Sequence, residues 1–385
     1  MIAASHDCVV VGAGPAGLAA ALALRHAGFD AVCAGPAPDP DRPDRRTTAL
    51  LQGSVRFLDG LGLWTRFSGE AAPLSGLRLV DRTGRLLRAP DMVFDAGEIG
   101  ESAFGYNIPN TRIVAALMDA LGSAFVATSG VTAIESVAGA TRLTLADGRR
   151  LDAKLVVGAD GRNSLCRASA NIPIRELRYD QTATVCNFAH SRSHDGVCTE
   201  FHYAQGPFTV VPLAPGWSSL IWVDRPAEAA KLAAMSAAEF AQAIAARLGG
   251  LLGEITETGP RNAFPLSGLV ARRLTGERLA LVGEAAHVMP PIGAQGLNLG
   301  FRDVADLVAC AARARQDPGA PDVLAAYEIA RRGDVLLRMA AADLLNRTLV
   351  SGLLPLQFAR GAALMSLSLF APLRRAAMRQ GMAAA

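Results

Sequence analysis

The sequence predicts an α/β chain in three parts: a parallel, doubly wound sheet discontinuous in sequence, an antiparallel sheet inserted into it, and a helical C-terminal region. Three observations predict it. A short apolar run near the N-terminus breaks into a glycine-rich turn and then an alanine-rich helix. Between about residues 172 and 264, short apolar segments alternate with turns. After Tyr327 the pattern is helical to the end.

The first βαβ unit carries the parallel part. Cys8-Val9-Val10-Val11 is short, β-branched and bounded by glycine, as a buried parallel strand should be. It runs into Gly12-Ala13-Gly14-Pro15-Ala16-Gly17, a helix from Leu18 to His26 closed by Gly28, and a second strand from Phe29 to Ala34. Gly12 permits the tight bend, Gly14 lets the backbone approach a pyrophosphate, and Gly17 lets helix and strand pack closely. The helix N-terminus then offers free N–H groups to phosphate. Because the glycine pattern follows a strand and opens a helix, it predicts a dinucleotide site, without choosing between FAD and NAD. The acid expected at the end of the second strand is missing: Gly35 stands there, with Asp39 and Asp41 just beyond as candidate substitutes.

Composition excludes several classes. Of 385 residues, 51% are hydrophobic and 19% charged, which is globular with an apolar lean. The formal charge is +3, and no cluster of basic and aromatic residues suggests nucleic acid. The six cysteines, Cys8, Cys33, Cys166, Cys186, Cys198 and Cys310, show no metal-ligand spacing and read as small hydrophobes in a reducing cytoplasm. His190, His194 and His202 fit no common metal site, so no metal is expected. No secretory leader is expected, since Asp7 precedes the first apolar run, and no run of apolar residues is long enough to span a bilayer.

Three further segments narrow the cofactor. The first is Asp44-Arg45-Arg46-Thr47-Thr48-Ala49-Leu50, followed by Ser54 and Leu61-Gly62-Leu63-Trp64. The second is the strand and turn Leu155-Val156-Val157-Gly158-Ala159-Asp160-Gly161-Arg162-Asn163-Ser164. The third is Gly283-Glu284-Ala285-Ala286-His287, then Pro291, Gln295-Gly296-Leu297-Asn298 and Asp303. Their order and spacing resemble those of FAD-dependent aromatic hydroxylases, the class A flavoprotein monooxygenases, and most nearly the ubiquinone-biosynthesis (UbiH/Coq6-like) branch. The resemblance covers essentially the whole chain.

The residues themselves make chemical sense of it. Leu279 to Gly283 is an apolar strand delivering Glu284 at its carboxyl end, where ligands of α/β sheets bind; that carboxylate can accept hydrogen bonds from ribityl hydroxyls. The loop Pro291–Gly296 is small and kinked, so Pro291, Gly293 and Ala294 can lie against a flat ring. A helix from Leu297 onward points its N–H end at the ring's pyrimidine edge. Arg46 is placed to meet the pyrophosphate. The resemblance implies that Asn110 touches flavin and that Asp160 and Gly161 serve both flavin and nicotinamide. The cofactor-binding set is therefore Gly12, Gly14, Gly17, Arg46, Asn110, Asp160, Gly161, Glu284, Gln295, Gly296, Leu297 and Asn298, with no side chain assigned as the catalyst. Two departures stand out. Glu284 replaces the family's usual Asp, and Ala294 replaces the first glycine of its GQG motif; the loop is expected to bend at Gly293 instead. His287 sits inside a binding motif and is not needed as a base, and Asp303 is expected to anchor its helix.

The expected domains are an FAD-binding domain in three pieces (1–75, 101–171 and 265–320), a substrate domain in two (76–100 and 172–264) and a C-terminal helical region (321–385). In the substrate domain the segments Thr182–Ala189, Phe208–Leu213 and Trp217–Val223 read as an antiparallel sheet with one helix from about Ala227 to Leu248. The resemblance implies that this sheet roofs the flavin, with Val210-Val211-Pro212-Leu213 facing the aromatic ring. From Thr348 to Leu373 only Arg360 is charged, and Pro355 and Pro372 break the run. These helices suit a greasy platform on a membrane or around a prenyl tail, with Arg374, Arg375 and Arg379 meeting anionic lipid; an internal bundle would explain them too.

The expected function is hydroxylation of the aromatic ring of a polyprenylated phenol in ubiquinone biosynthesis, with NAD(P)H as co-substrate and O2 activated as a flavin C4a-hydroperoxide. A place in a ubiquinone-biosynthesis complex, and a cytoplasmic location peripheral to the inner face of the membrane, go with it. Two rivals share the fold: a hydroxylase of small soluble phenols, and a non-catalytic binding protein for prenylated ligands. A flavoprotein acting on alkenes or halide is a third, although the helical lysine that halogenases use near the flavin is absent, since Lys154 and Lys231 lie elsewhere.

Overall fold

In a computed structural model of the chain, describing residues 3–41, 44–84, 90–290, 294–351 and 353–382, the first apolar run forms the strand Ala4–Val11. Cys8, Val9 and Val10 are fully buried in it. Helix α1 (Pro15–His26) starts three residues earlier than the apolar pattern indicates. Pro15 occupies its first turn, where a missing N–H costs nothing. The second strand, Ala31–Gly35, runs parallel to the first, with Val9 opposite Val32.

Around this pair an eight-stranded sheet is completed from distant segments. Its main path runs Thr275–Gly276, Leu279–Leu281, Arg150–Gly158, Ala4–Val11, Ala31–Gly35, Phe125–Ala127, and the neighbours of Ala4–Val11 are both parallel to it. Three separated stretches of chain therefore converge on one sheet, whose apolar centre (Leu155, Val156, Val157) is sealed on both faces.

Helix α2 (Gln52–Gly60) follows the strand Thr47–Leu51, and helix α3 (Asn110–Leu121) follows Gly105–Pro109, which pairs with it. Helix α4 (Leu165–Ser169) closes the turn after Gly158.

The second sheet has nine strands. Its path runs His287–Val288, Asn262–Ala271, Ile174–His190, Trp217–Asp224, Gly206–Pro212, Val197–Tyr203, Gly76–Asp81, Met92–Asp95. It is antiparallel except where Gly76–Asp81 lies parallel to Val197–Tyr203. One face is closed by helices α5 (Pro226–Ala234) and α6 (Ala237–Leu248), with Phe188, Phe208, Leu220 and Phe240 fully buried between them. The single helix expected over this stretch is thus two. Ser236 caps α6 through Glu239 in a capping box, and the S-x-x-E spacing that signals it lies inside the apolar pattern.

Helix α7 (Gln295–Ala311) packs against α1, and α8 (Pro321–Val350) runs alongside α7. Helices α9 (Leu354–Leu369) and α10 (Ala371–Met382) complete the chain, Pro372 standing near the start of the latter. Among the described residues no single helix is long and apolar enough to cross a membrane, and α9 and α10 meet at 105°.

Candidate functional site

The glycine turn is held by contacts that exclude any side chain. Gly12 has φ +116°, and a Cβ there would stand 2.3 Å from the Ala159 carbonyl oxygen; one on Gly17 would stand 1.9 Å from the carbonyl oxygen of Gly12. Gly14 differs. A Cβ on it would meet nothing within 4 Å, and as N-cap of α1 it provides no side-chain cap. The N-terminus of α1 therefore presents bare N–H groups to open space.

The missing acid has a steric explanation. A Cβ on Gly35 would lie 2.7 Å from the backbone nitrogen of Ala13, so the strand end presses on the turn itself. Asp39 and Asp41 are exposed beyond it, and Asp39 accepts a hydrogen bond from the Asp41 N–H at 2.9 Å, closing its own turn.

Arg46 and Asn110 come together through a residue whose role the sequence did not reveal. Asp44 accepts two bonds from the Arg46 guanidinium, both at 2.8 Å, and one from Asn110 Nδ2 at 2.9 Å. Thr48 donates to Asn110 Oδ1 at 2.6 Å. Burial works to raise the Asp44 carboxyl, but these bonds outweigh it and hold it below the usual carboxylate range. Arg46 is stabilised as a cation chiefly by Asp44 and more weakly by Glu284, which brings the exposed Glu284 carboxylate electrostatically to the same cluster. Glu284 also sits at the mouth of α1, since a Cβ on neighbouring Gly283 would be 3.2 Å from Cβ of Ala16.

The α7 N-terminus corrects one expectation. Ala294 itself takes the left-handed conformation, φ +54° and ψ +35°, as the N-cap of α7; Pro291 and Gly293 lie outside the described residues. The helix begins at Gln295 rather than Leu297, so Gln295, Gly296 and Leu297 form its first turn, with no side-chain cap on their N–H groups. Gln295 accepts from Arg338 of α8 at 3.0 Å.

Asn298 is buried and positions the other residues. Its Oδ1 accepts from the Leu51 N–H and the Ser54 hydroxyl, and its Nδ2 donates to the carbonyls of Ala49 and Ala294. It staples the strained helix start to the Thr47–Leu51 strand and, through Ser54, to α2.

Asp160 is engaged within its own turn, accepting from Ser164 Oγ at 2.6 Å and the Cys166 N–H at 3.0 Å. Gly161 follows at φ +78° with open space where a Cβ would stand. Asp303 ties three elements together. Fully buried, it accepts from the Gly283 N–H at 3.0 Å, His287 Nε2 at 2.6 Å and Arg331 Nε at 2.9 Å. This sets the strand end that carries Glu284 and seals His287 away from solvent. Burial works to lower the Arg331 guanidinium, and Asp303 outweighs it, so the guanidinium stays charged. Removing Arg331 would strand a buried carboxylate, at a cost of about 3–5 kcal/mol. Arg331 had a signal that periodicity alone ranks low: it is the lone charge on the α8 stripe Tyr327, Arg331, Val335, Met339.

His190 is buried in the second sheet between Ser218 and the Arg192 carbonyl, and His202 pairs with Glu200. Among the described residues no group of His, Cys, Asp or Glu could hold a metal ion. All six cysteines are free.

The profile of the family described as "FAD binding domain" matches residues 5–339. The ubiquinone hydroxylase UbiL of Rhodospirillum rubrum is 37% identical over 98% of this chain and 89% of its own length. The 3-demethoxyubiquinol 3-hydroxylase of Escherichia coli is 32% identical over 97% of each. Among solved structures, p-nitrophenol 4-monooxygenase PnpA of Pseudomonas putida superposes with a TM-score of 0.80 over 99% of both chains at 19% identity, a likeness of fold.

Proposed function

The chain belongs to the FAD-binding-domain family of flavoprotein monooxygenases, and on that premise we propose that it hydroxylates the aromatic ring of a polyprenylated phenol in ubiquinone biosynthesis. The observation that carries the reading is the pair of uncapped helix N-termini, those of α1 and α7, together with Arg46 electrostatically coupled to Glu284. These are fitting donors and acceptors for a cofactor with an anionic pyrophosphate, a hydroxylated chain and an electron-accepting ring.

In this reading α1 and Arg46 hold the pyrophosphate of FAD, with Asp44 and Asn110 orienting Arg46. Glu284, set by the Asp303 bond to Gly283, receives ribityl hydroxyls. The first turn of α7, pinned by Asn298, faces the pyrimidine edge. Gly161 leaves room for NAD(P)H to dock transiently beside Asp160. Bound FAD, once reduced by NAD(P)H, supplies the activation of O2 and the transfer of one oxygen atom. The protein's own task is to position the substrate ring under the second sheet, near Val211 and Pro212, and to keep water out. Asn107 supports that wall, donating to the Pro212 carbonyl at 2.9 Å. A prenyl tail would run along the apolar surface of α8–α10, which we propose also rests on a membrane and gives access to a biosynthetic complex. The rival readings explain less: a small soluble phenol gives those helices no role, and a non-catalytic binder gives the uncapped helix N-termini none.

Deleting the gene in its source organism and profiling quinone precursors by mass spectrometry tests this. Accumulation of a prenylated phenol lacking one hydroxyl is the expected result. Normal ubiquinone, with no new precursor and no second enzyme covering the step, would overturn the lipid-substrate assignment.

A further inference from the structure

The nine-stranded sheet has one closed face and one half-open face, and the half-open one carries the pair Glu200–His202, with Asp81 opposite His202 in the register. Registers across five strands bring Leu79, Glu200, Thr209, Ile221 and Val185 into one row. All five are half-buried, whereas their strand neighbours Cys186, Phe201, Val210 and Leu220 on the opposite face are buried against α5 and α6. Within the row Glu200 is the one ionisable side chain in an otherwise apolar wall. Its Oε1 accepts from His202 Nε2 at 2.8 Å and its Oε2 from Thr209 Oγ1 at 3.3 Å, with side-chain exposures of 17% for Glu200 and 15% for His202.

Three neighbours border this face. On the cofactor side, the adjoining row includes Asn187, whose Nδ2 donates to the Arg45 carbonyl at 3.4 Å, next to Arg46. At one edge of the sheet, Leu364, Leu367 and Met378 of α9 and α10 pack with Leu77 and Leu79. At the far end, α8 crosses the sheet, Asn346 donating to Gln181. A hydrophobic side chain at position 200 would complete this wall more cheaply than a desolvated carboxylate. Burial works to raise the Glu200 carboxyl, and the bonds from His202 and Thr209 outweigh it, so it is kept as an anion with lone pairs free.

We propose that Glu200, oriented by His202 and Thr209, recognises the substrate by accepting a hydrogen bond from its ring hydroxyl. The inference rests on the phenol-hydroxylase reading above and deepens it. An apolar ring with one hydroxyl matches an apolar wall with one acceptor. A charged acceptor also draws the O–H proton toward itself, enriching the ring in electrons where oxygen must be delivered.

The test uses the FAD-loaded enzyme and two probes, 2-allylphenol and its methyl ether 2-allylanisole, with binding read from the flavin absorbance. Wild type should bind the phenol about tenfold or more tightly than the ether, because only the phenol can donate a hydrogen bond to the charged acceptor. Glu200→Leu, which removes the acceptor, should lose most of that preference while keeping its FAD, and Glu200→Asp should keep part of it. Equal binding of the two probes by wild type would overturn the inference without recourse to any variant, as would an E200L enzyme that still discriminates. If neither probe perturbs the flavin nor stimulates NAD(P)H oxidation, the phenol reading itself fails, and the role of Glu200 with it.

Discussion

At the scale of single residues, Ala294 shows a local rule broken where the site needs it. A left-handed conformation costs a non-glycine residue about 1 kcal/mol or more, and it persists because Asn298 bonds the Ala294 carbonyl and fixes the helix start. Ala294→Gly should relieve that strain, less the extra entropy of glycine in the unfolded chain, for a net gain of roughly 0.5–1 kcal/mol. Thermal denaturation should show a rise of about 1–2 °C; a fall would mean that the alanine methyl is packed to advantage. His190 makes the opposite kind of prediction. Burial, the largest influence, holds its pKa below the ordinary value, while its Nδ1–H is donated to the Arg192 carbonyl and its Nε2 accepts from Ser218. The folded protein therefore refuses a proton that the unfolded chain takes near pH 6.5. Stability from this site is complete above about pH 6.5 and declines as pH falls toward the depressed folded-state value. Melting curves between about pH 5 and 7.5 should show a steeper acid-side decline for wild type than for His190→Asn.

At the scale of elements, the glycine turn separates two functions that the sequence presents as one motif. Gly17→Ala would place a methyl 1.9 Å from the Gly12 carbonyl oxygen, so α1 must move off the sheet and the protein should purify colourless and less stable. Gly14→Ala meets nothing in the protein, so the apoprotein should melt as wild type does, while FAD affinity drops about tenfold or more because the methyl enters ligand space. Equal FAD affinity in G14A would mean the pyrophosphate does not lie over that residue. The strand, turn and helix were legible because each obeys a local rule: β-branched burial, then glycine, then alanine. Gly35 was legible as an omission but not as a cause, because its neighbour Ala13 is 22 residues away in sequence and touching in space. The same holds for Asp44, whose carboxylate joins Arg46 to Asn110 across 66 residues, and for Arg331, which meets Asp303 across 28. The break between α5 and α6 was written locally in Ser236 and Glu239 but masked by the apolar period running through it.

At the scale of the whole molecule, the distribution of charge and apolar surface bears on how the proposed prenylated substrate would reach the site. No acidic residue follows Asp343, whereas Arg347, Arg360, Arg374, Arg375 and Arg379 do. The same stretch leaves Leu345, Phe358, Leu369 and Phe370 more than half exposed, at 57%, 66%, 70% and 61%. Soluble surfaces scatter such residues singly; several on consecutive helices, with an excess of arginine, suit an interface with anionic lipid. Arg374 is already paired with Glu98 at 2.7 Å, so the exposed Arg375 and Arg379 are the side chains to test. Each basic residue near an anionic leaflet contributes about 1 kcal/mol, so charge reversal at both should weaken binding to phosphatidylserine-containing vesicles about thirtyfold or more. Wild type should float with such vesicles at low salt and release in part as salt rises, since the apolar helices remain inserted when the charges are screened. Retention by the double variant at wild-type level would assign these helices to burial by a protein partner instead, and failure of wild type to float would remove the membrane from the route by which substrate arrives.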